Sequence, residues 1–211
     1  MKAKRIMLCG GGTGGHVFPL VEVARGIRKL DPEAKIYFVG PEEFPLTSLR
    51  KEEVIVKKII GAGKLRRYFS LAYVWELIKL PFAFLDAFFT VLFIDPDAVL
   101  GKGSYGSVLP VLCAKLLGKK IILHESDAIP GLANRFLSKF TKNIALAFEG
   151  AQKFFPNKNI FVVGNPVRLK YMGLTKEEAR DILEFPSEGK VVFVSGGSQG
   201  AQKINTIILE S

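Results

Sequence analysis

The sequence is poor in the residues that carry redox and metal chemistry. It has only two cysteines, Cys9 and Cys113, which are too few for a disulfide framework and lack the spacing of metal ligands. We therefore expect two buried thiols and a reducing cytoplasm, and we predict no metal site. It also has only two histidines, His16 and His124, so side chains that titrate near neutral pH are confined to two places.

Acidic residues are scarce relative to basic ones. Twenty aspartates and glutamates stand against 30 lysines and arginines, which gives a formal net charge of +10. Such an excess implies an anionic partner, for which nucleic acid, anionic lipid and a nucleotide-sugar phosphate all qualify. Because the sequence contains no long run of like charges and no helix-turn-helix or RNA-binding signature, we place nucleic acid below the other two and predict no nucleic-acid partner.

Long charge-free apolar runs are also missing. Residues 68–94 are mostly apolar, but Glu76, Lys79 and Asp86 interrupt them, and Pro81 is expected to break the helix. We therefore predict no transmembrane helix here. The first strand follows the amino terminus directly and is too short for the apolar region of a signal peptide, so we expect the protein to stay in the cytoplasm.

The apolar residues of 68–94 nevertheless exceed what one packed face needs. They form two stripes at helical spacing, namely Leu71, Trp75, Ile78, Phe82, Leu85, Phe89 and Leu92, and Tyr73, Leu77, Leu80, Phe84, Phe88 and Val91. One stripe can pack on a sheet, and the other is left over beside upstream basic residues, namely Lys57, Lys58, Lys64, Arg66 and Arg67. This composition predicts an interfacial anchor on an anionic membrane surface. The alternative is two helices buried on both sides.

Short strand-like runs alternate with segments of helical spacing along most of the chain. The predicted strands are Arg5–Cys9, Lys35–Val39, Val54–Ile60, Ala98–Leu100, Lys120–Leu123, Asn143–Ala147 and Asn159–Val163. This alternation predicts an α/β fold with a parallel sheet that is covered on both faces. Ligands bind such sheets at the carboxyl ends of the strands, where every glycine-rich stretch of this sequence lies.

The first strand leads into five glycines within residues 10–15, followed by His16. Such a corner before a helix N-terminus suits an anionic or polyhydroxylated ligand, and His16 is well placed for proton transfer. The spacing also fits the dinucleotide fingerprint, but the second strand ends in Gly40-Pro41 without the acidic residue that NAD binding requires. A nucleotide-cofactor oxidoreductase is thus a remote alternative, and a purely structural glycine turn is another.

Two further strand ends carry polar residues. The glycine-rich loop 101–107 precedes a predicted helix at 108–117 and is a second place for backbone amides to converge on a ligand. The segment 123–135 carries His124, two carboxylates and an amide. A catalytic and a structural role for His124 are equally compatible with this pattern.

Residues 164–168 mark a domain boundary or hinge. Beyond them we predict a helix at 176–183, a strand at 190–194, a glycine-rich loop at 195–201 and a helix ending at Leu209, which repeats the plan of the amino terminus. We predict domains at 1–165 and 166–211. Because the second is too short to close a sheet, we expect the chain to be part of a longer protein.

Four motifs in this order resemble the MurG family of peptidoglycan N-acetylglucosaminyltransferases, in glycosyltransferase family 28. They are Gly-Gly-Gly-Thr-Gly-Gly-His-Val-Phe-Pro at 10–19, His-Glu-x-x-Ala-x-Pro-Gly-Leu-Ala-Asn at 124–134, Gly-Asn-Pro-Val-Arg at 164–168 and Gly-Gly-Ser-Gln-Gly-Ala at 196–201. The resemblance covers the whole chain. It implies a GT-B fold, with a Rossmann-like amino-terminal domain that binds acceptor and membrane, and the beginning of a Rossmann-like donor-binding domain.

The resemblance also implies an activity. The family transfers GlcNAc from UDP-GlcNAc to the C4 hydroxyl of undecaprenyl-diphosphate-linked MurNAc-pentapeptide, which converts lipid I into lipid II. The reaction inverts the anomeric centre, needs no metal or cofactor, and takes place at the cytoplasmic face of the membrane. From this we expect the present chain to be inactive alone.

Site residues follow from the resemblance position by position. His16 matches the proposed general base, and residues that match substrate contacts are Thr13, Gly14, Gly15, Asp127, Arg168 and Ser198. Asp127 stands where the family usually has asparagine, and a carboxylate here can accept a hydrogen bond from a sugar hydroxyl or compete with His16 as the base. The loop 103–108 also departs from the family pattern.

The sequence is also compatible with two alternative functions. One is a GT-B transferase for another sugar nucleotide or lipid acceptor, because the residues that select the donor are expected beyond residue 211. The other is a noncatalytic half that anchors a separate donor-binding subunit at the membrane.

Overall fold

The computed structural model describes residues 3–41, 46–59, 71–167, 173–196 and 201–210, with side chains between 71 and 77 left out. The chain divides into two compact units, 1–167 and 168–211.

The first unit is built on seven parallel strands. They are β1 (Arg5–Cys9), β2 (Lys35–Gly40), β3 (Ile55–Lys58), β4 (Ala98–Gly101), β5 (Lys120–Glu125), β6 (Asn143–Leu146) and β7 (Asn159–Val162). Their order in the sheet is β3-β2-β1-β4-β5-β6-β7, so the direction of winding reverses between β1 and β4. The predicted Rossmann-like parallel sheet is confirmed, and β5 extends two residues further than expected, through His124 and Glu125.

Helices cover both faces of this sheet. They are α1 (Gly14–Leu30), α2 (Thr47–Lys51), α3 (Leu71–Ile94), α4 (Tyr105–Leu116) and α5 (Leu132–Leu137), followed by 3-10 turns at Ser138–Phe140 and Glu149–Phe154. Successive side chains of a strand point to opposite faces, and β1 shows this directly. Met7 and Cys9 join the core under α3 and α4, whereas Leu8 joins the core under α1 and α2.

The long helix α3 corrects one prediction. Pro81 does not break it, and 24 residues run from Leu71 to Ile94 as one helix. Proline removes a single N–H donor and its fixed φ is helical, so the bonds of neighbouring residues carry the helix past it. Because the segment is one helix with an exposed face, the alternative of two helices buried on both sides is wrong for its described side chains.

The second unit contains α6 (Lys176–Ile182) and α7 (Gln202–Leu209). Thr175 and Glu178 form a capping box at the start of α6, which explains why this helix begins where the sequence predicts. The strand predicted at 190–194 does not form. The described residues of this unit contain no other strand to pair with it, and Val192 and Phe193 are 85% and 87% exposed.

Candidate active site at the carboxyl edge of the sheet

Three loops that follow β1, β4 and β5 meet at one edge of the sheet. These strands are adjacent and parallel, so their carboxyl ends lie side by side at the point where the winding reverses. The edge brings together Thr13, which ends the first loop, and Gly14, Gly15 and His16 in the first turn of α1 with Asp127 from the third loop. Arg168 and Ser198, the other two predicted substrate contacts, lie outside the described residues.

The glycine corner after β1 owes its shape to two residues with positive φ. Gly11 and Gly12 have φ of 123° and 93°, which residues with a Cβ rarely adopt. A Cβ on Gly12 would also lie 2.7 Å from Cε1 of Tyr105. In contrast, a Cβ on Gly15 would meet only Thr13 Oγ1 at 3.8 Å, so the start of α1 is open to a ligand.

His16 is held within this corner by its own loop. Its Nδ1 lies 2.9 Å from Oγ1 of Thr13, the residue that precedes α1. Burial lowers the pKa of His16, and the Lys102 charge lowers it further, whereas Asp127 raises it. These influences together favour the neutral imidazole. When Nδ1–H donates to the threonine hydroxyl, Nε2 keeps the lone pair that a general base requires.

Glu125, one of the two carboxylates of the third loop, is fully engaged in building that loop. Its side chain is buried, and Oε1 accepts the Asp127 N–H at 2.9 Å. Oε2 accepts the Gly131 N–H at 3.1 Å and an N–H of Asn134 at 3.0 Å. Asp127 is exposed, so it is the carboxylate that this loop offers to a ligand.

His124 is placed differently from His16. It is 4% exposed, and Nε2–H donates to the Gly164 carbonyl at 3.0 Å. Burial, reinforced by the Lys102 charge, lowers the pKa of His124 to about 4. A neutral imidazole that ties the third loop to residue 164 favours the structural role over the catalytic one.

Two glycines of the glycine-rich segment after β4 allow close packing that a Cβ would prevent. A Cβ on Gly103 would lie 2.2 Å from Nδ2 of Asn134, and one on Gly106 would lie 2.4 Å from Cδ of Pro41. The first close approach joins the second loop to α5, and the other joins the start of α4 to the residue after β2. They account for the glycines without a ligand at those positions.

Sequence reasoning missed Lys102, which lies in this second loop. The side chain is 2% exposed, and Nζ donates to Oγ of Ser126 in the third loop. Burial lowers the pKa of Lys102 to about 8, although Glu125 and Asp127 favour its charged form. One signal was available, because Lys102 is the only charged residue in the segment 101–107.

Known proteins resemble this chain in sequence. The N-terminal domain of glycosyltransferase family 28 matches residues 6–146. A Borrelia turicatae relative is 35% identical over 99% of this chain and 58% of its own length, and a Treponema denticola relative is 36% identical over 99% and 56%. Both are named UDP-N-acetylglucosamine--N-acetylmuramyl-(pentapeptide) pyrophosphoryl-undecaprenol N-acetylglucosamine transferase. The chain thus spans a little over half the length of these curated relatives.

Solved structures resemble it in fold. Acinetobacter baumannii MurG superposes with a TM-score of 0.62 at 26% identity, over 78% of this chain and 46% of that one. A Neisseria meningitidis UDP-GlcNAc 2-epimerase superposes with a TM-score of 0.61 over the whole chain and 62% of its own, but at 15% identity it shows the fold alone. The match to the family extends from β1 to the end of β6 and includes the His16 corner and the Asp127 turn. The resemblance predicted from four motifs is confirmed, and the chain belongs to glycosyltransferase family 28, whose N-terminal domain occupies residues 6–146.

Proposed function

We propose that this chain is the acceptor-binding part, with the start of the donor-binding part, of an inverting glycosyltransferase. The complete enzyme, meaning this chain continued to the length of its relatives, would move GlcNAc from UDP-GlcNAc to undecaprenyl-diphosphate-linked MurNAc-pentapeptide. The observation that carries the proposal is that Thr13 holds His16 at the open start of α1, where burial lowers the pKa of the imidazole. The printed names of the relatives support the choice of substrates.

The reaction requires one proton acceptor on this side of the enzyme. His16 Nε2 takes the proton of the acceptor C4 hydroxyl as its oxygen bonds to C1 of GlcNAc. The bond between C1 and the diphosphate oxygen breaks, UDP leaves with the electron pair, and the anomeric centre inverts. A correctly placed general base accelerates such a step by about 10²- to 10⁴-fold. Asp127 is proposed to accept a hydrogen bond from a second sugar hydroxyl.

Donor contacts are proposed for Arg168 and Ser198, by resemblance alone. Both substrates carry a diphosphate, and the net charge of +10 suits two polyanions. The N–H groups of the first turn of a helix, such as α1, lack partners within the helix and can bind a phosphate oxygen.

The exposed face of α3 supports a peripheral position at the cytoplasmic face of the membrane. Phe84 and Phe88 pack on the core and Val91 is buried within it, so it is the second stripe whose C-terminal part packs on the sheet. The first stripe faces outward, with exposures of 71% for Phe82 and 50% for Phe89. Among the described residues, no helix has the length and apolar character needed to cross a bilayer.

Vesicle binding tests this membrane surface. Phe82→Glu combined with Phe89→Glu should abolish co-sedimentation of the chain with vesicles of phosphatidylglycerol, because two charges would enter the apolar layer. Leu30→Glu, at an 89% exposed site on α1, is the matched control and should bind as the unaltered chain does. Binding that is insensitive to salt and also survives the double substitution would show that α3 is not the anchor.

Transfer of labelled sugar tests the activity itself. The complete enzyme should convert a lipid I analogue and UDP-GlcNAc into a lipid II analogue, and should use UDP-glucose or UDP-GalNAc poorly. A preference for another sugar nucleotide would favour the alternative GT-B transferase. Absence of transfer, with vesicle binding retained, would favour the noncatalytic anchoring half.

A further inference from the structure

Lys102 is buried at a position where a lysine is costly. Its side chain is 2% exposed, and lysine is among the residues that are least often buried without a partner. Strand β4 lies between β1 and β5, so Lys102, the first residue after β4, lies between the His16 corner and the turn after β5. The Lys102 N–H donates to the Cys9 carbonyl at 2.8 Å, which fixes this backbone to the end of β1.

The ammonium group of Lys102 reaches the turn 125–127. Nζ donates to Oγ of Ser126, the central residue of that turn. Within the turn, Glu125 Oε1 accepts the Asp127 N–H at 2.9 Å. The turn is therefore held twice, once by its own glutamate and once by a side chain from the loop after the neighbouring strand β4.

Two carboxylates offset the buried charge, but only one of them is available to a ligand. Glu125 and Asp127 both stabilise the charged form of Lys102. Glu125 is 4% exposed and is engaged by two backbone N–H groups and by Asn134. The carboxylate of Asp127 is exposed. Lys102 thus fixes the backbone that carries Asp127 and also compensates its charge.

We propose that Lys102 is a positioning residue that fixes the turn 125–127 and presents the Asp127 carboxylate, at the same sheet edge as His16, to a hydroxyl group of the acceptor sugar. Ionised carboxylates only accept hydrogen bonds, so this site favours a hydroxyl or amide donor and disfavours an anion. The sugar's identity rests on the proposed function, whereas the fixing of the turn does not.

Hydrogen exchange tests the fixing of the turn without any substrate. In the 211-residue chain, Lys102→Met should speed exchange of the Asp127 amide by about tenfold or more, because the turn opens locally once Ser126 is released. Lys120→Met is the matched control, at an exposed lysine that begins β5, and should leave that amide unchanged. Unchanged exchange in Lys102→Met, with the sheet amides still protected, would overturn the proposal.

A double-substitution cycle in the complete enzyme tests the link to the sugar. Lys102→Met should lower kcat/KM for the lipid-linked acceptor by about tenfold and leave KM for UDP-GlcNAc unchanged. In the Asp127→Asn background the same substitution should cost less than about threefold, because the carboxylate that it positions is gone. An equal loss in both backgrounds would show that Lys102 acts independently of the Asp127 carboxylate, and would overturn the positioning role.

The two experiments separate the possible failures. If the complete enzyme transfers no GlcNAc while Lys102→Met still speeds exchange at Asp127, the proposed function fails and the positioning of the turn stands. If the complete enzyme transfers GlcNAc but Lys102→Met leaves exchange of the Asp127 amide unchanged, the proposed function stands and the role of Lys102 fails.

Discussion

The two histidines of this chain lie near the carboxyl ends of β1 and β5 in one sheet, but they differ in burial and in hydrogen bonding. Nδ1 of His16 is hydrogen-bonded to a threonine three residues away, at a corner where a Cβ on Gly15 would meet only Oγ1 of that threonine. His124 is 4% exposed and donates to a carbonyl 40 residues further along the chain. The comparison teaches that a histidine at a strand end is a candidate base only where its bonding leaves one ring nitrogen accessible.

Substitution of the two histidines gives the largest expected contrast. In the complete enzyme, His16→Ala should lower kcat by about 10²- to 10⁴-fold, because the proton acceptor is lost. His124→Gln, which keeps an N–H donor for Gly164, should lower kcat by less than about tenfold. Rates of labelled GlcNAc transfer check both. Similar losses of kcat in the two variants would contradict the assignment of His16 as the base and His124 as a structural residue.

Unfolding at different pH values tests the lowered pKa of His124 in the folded chain. Its pKa is about 4 in the folded chain, against an ordinary value of 6.5. Between these values the unfolded chain binds a proton that the folded chain excludes, so stability should fall as pH is lowered through this window, by up to about 1.4 kcal/mol per pH unit. Above pH 6.5 this contribution is constant.

Urea unfolding of the chain at pH 7 and pH 5 measures this slope. His124→Gln should remove most of it, and His16→Gln should leave most of it in place, because His16 is the less buried of the two. A slope that persists in His124→Gln would assign the pH dependence to other groups.

A smaller effect is expected at Asp127, which raises the pKa of His16. Asp127→Asn should shift the acid limb of the kcat/KM profile of the complete enzyme to lower pH, because the imidazole loses a neighbouring negative charge. Loss of the limb altogether would identify Asp127, and not His16, as the group that takes the proton.

The fold was readily predicted because its signals are local. Strand-like runs of three to seven residues placed all seven strands, and the spacing of Val17, Leu20, Val21 and Ala24 placed the buried face of α1. The strand expected at 190–194 failed because pairing is not local, and a strand without a partner does not form a ladder. The helix break predicted at Pro81 was wrong, because the hydrogen bonds of the rest of α3 hold the helix together despite one missing N–H donor.

The candidate site was only partly predictable. Motifs identified His16 and Asp127, and the order of strands in the sheet then placed them at one edge. The roles of Glu125 and Lys102 depend on contacts across strands, such as Nζ of Lys102 with Ser126, which no spacing in the sequence encodes. Burial likewise decided between the two roles of His124, and burial of a single side chain is a tertiary property.

Nitrogen-15 NMR of the two histidine rings, followed from pH 8 to pH 3.5 in the 211-residue chain, tests the central claim most directly. We predict that His124 keeps its proton on Nε2 and stays neutral until about pH 4, and that His16 titrates below 6.5 with an unprotonated Nε2 in its neutral form. A His16 ring that is already protonated at pH 7, or that carries its neutral proton on Nε2, would contradict its assignment as the base.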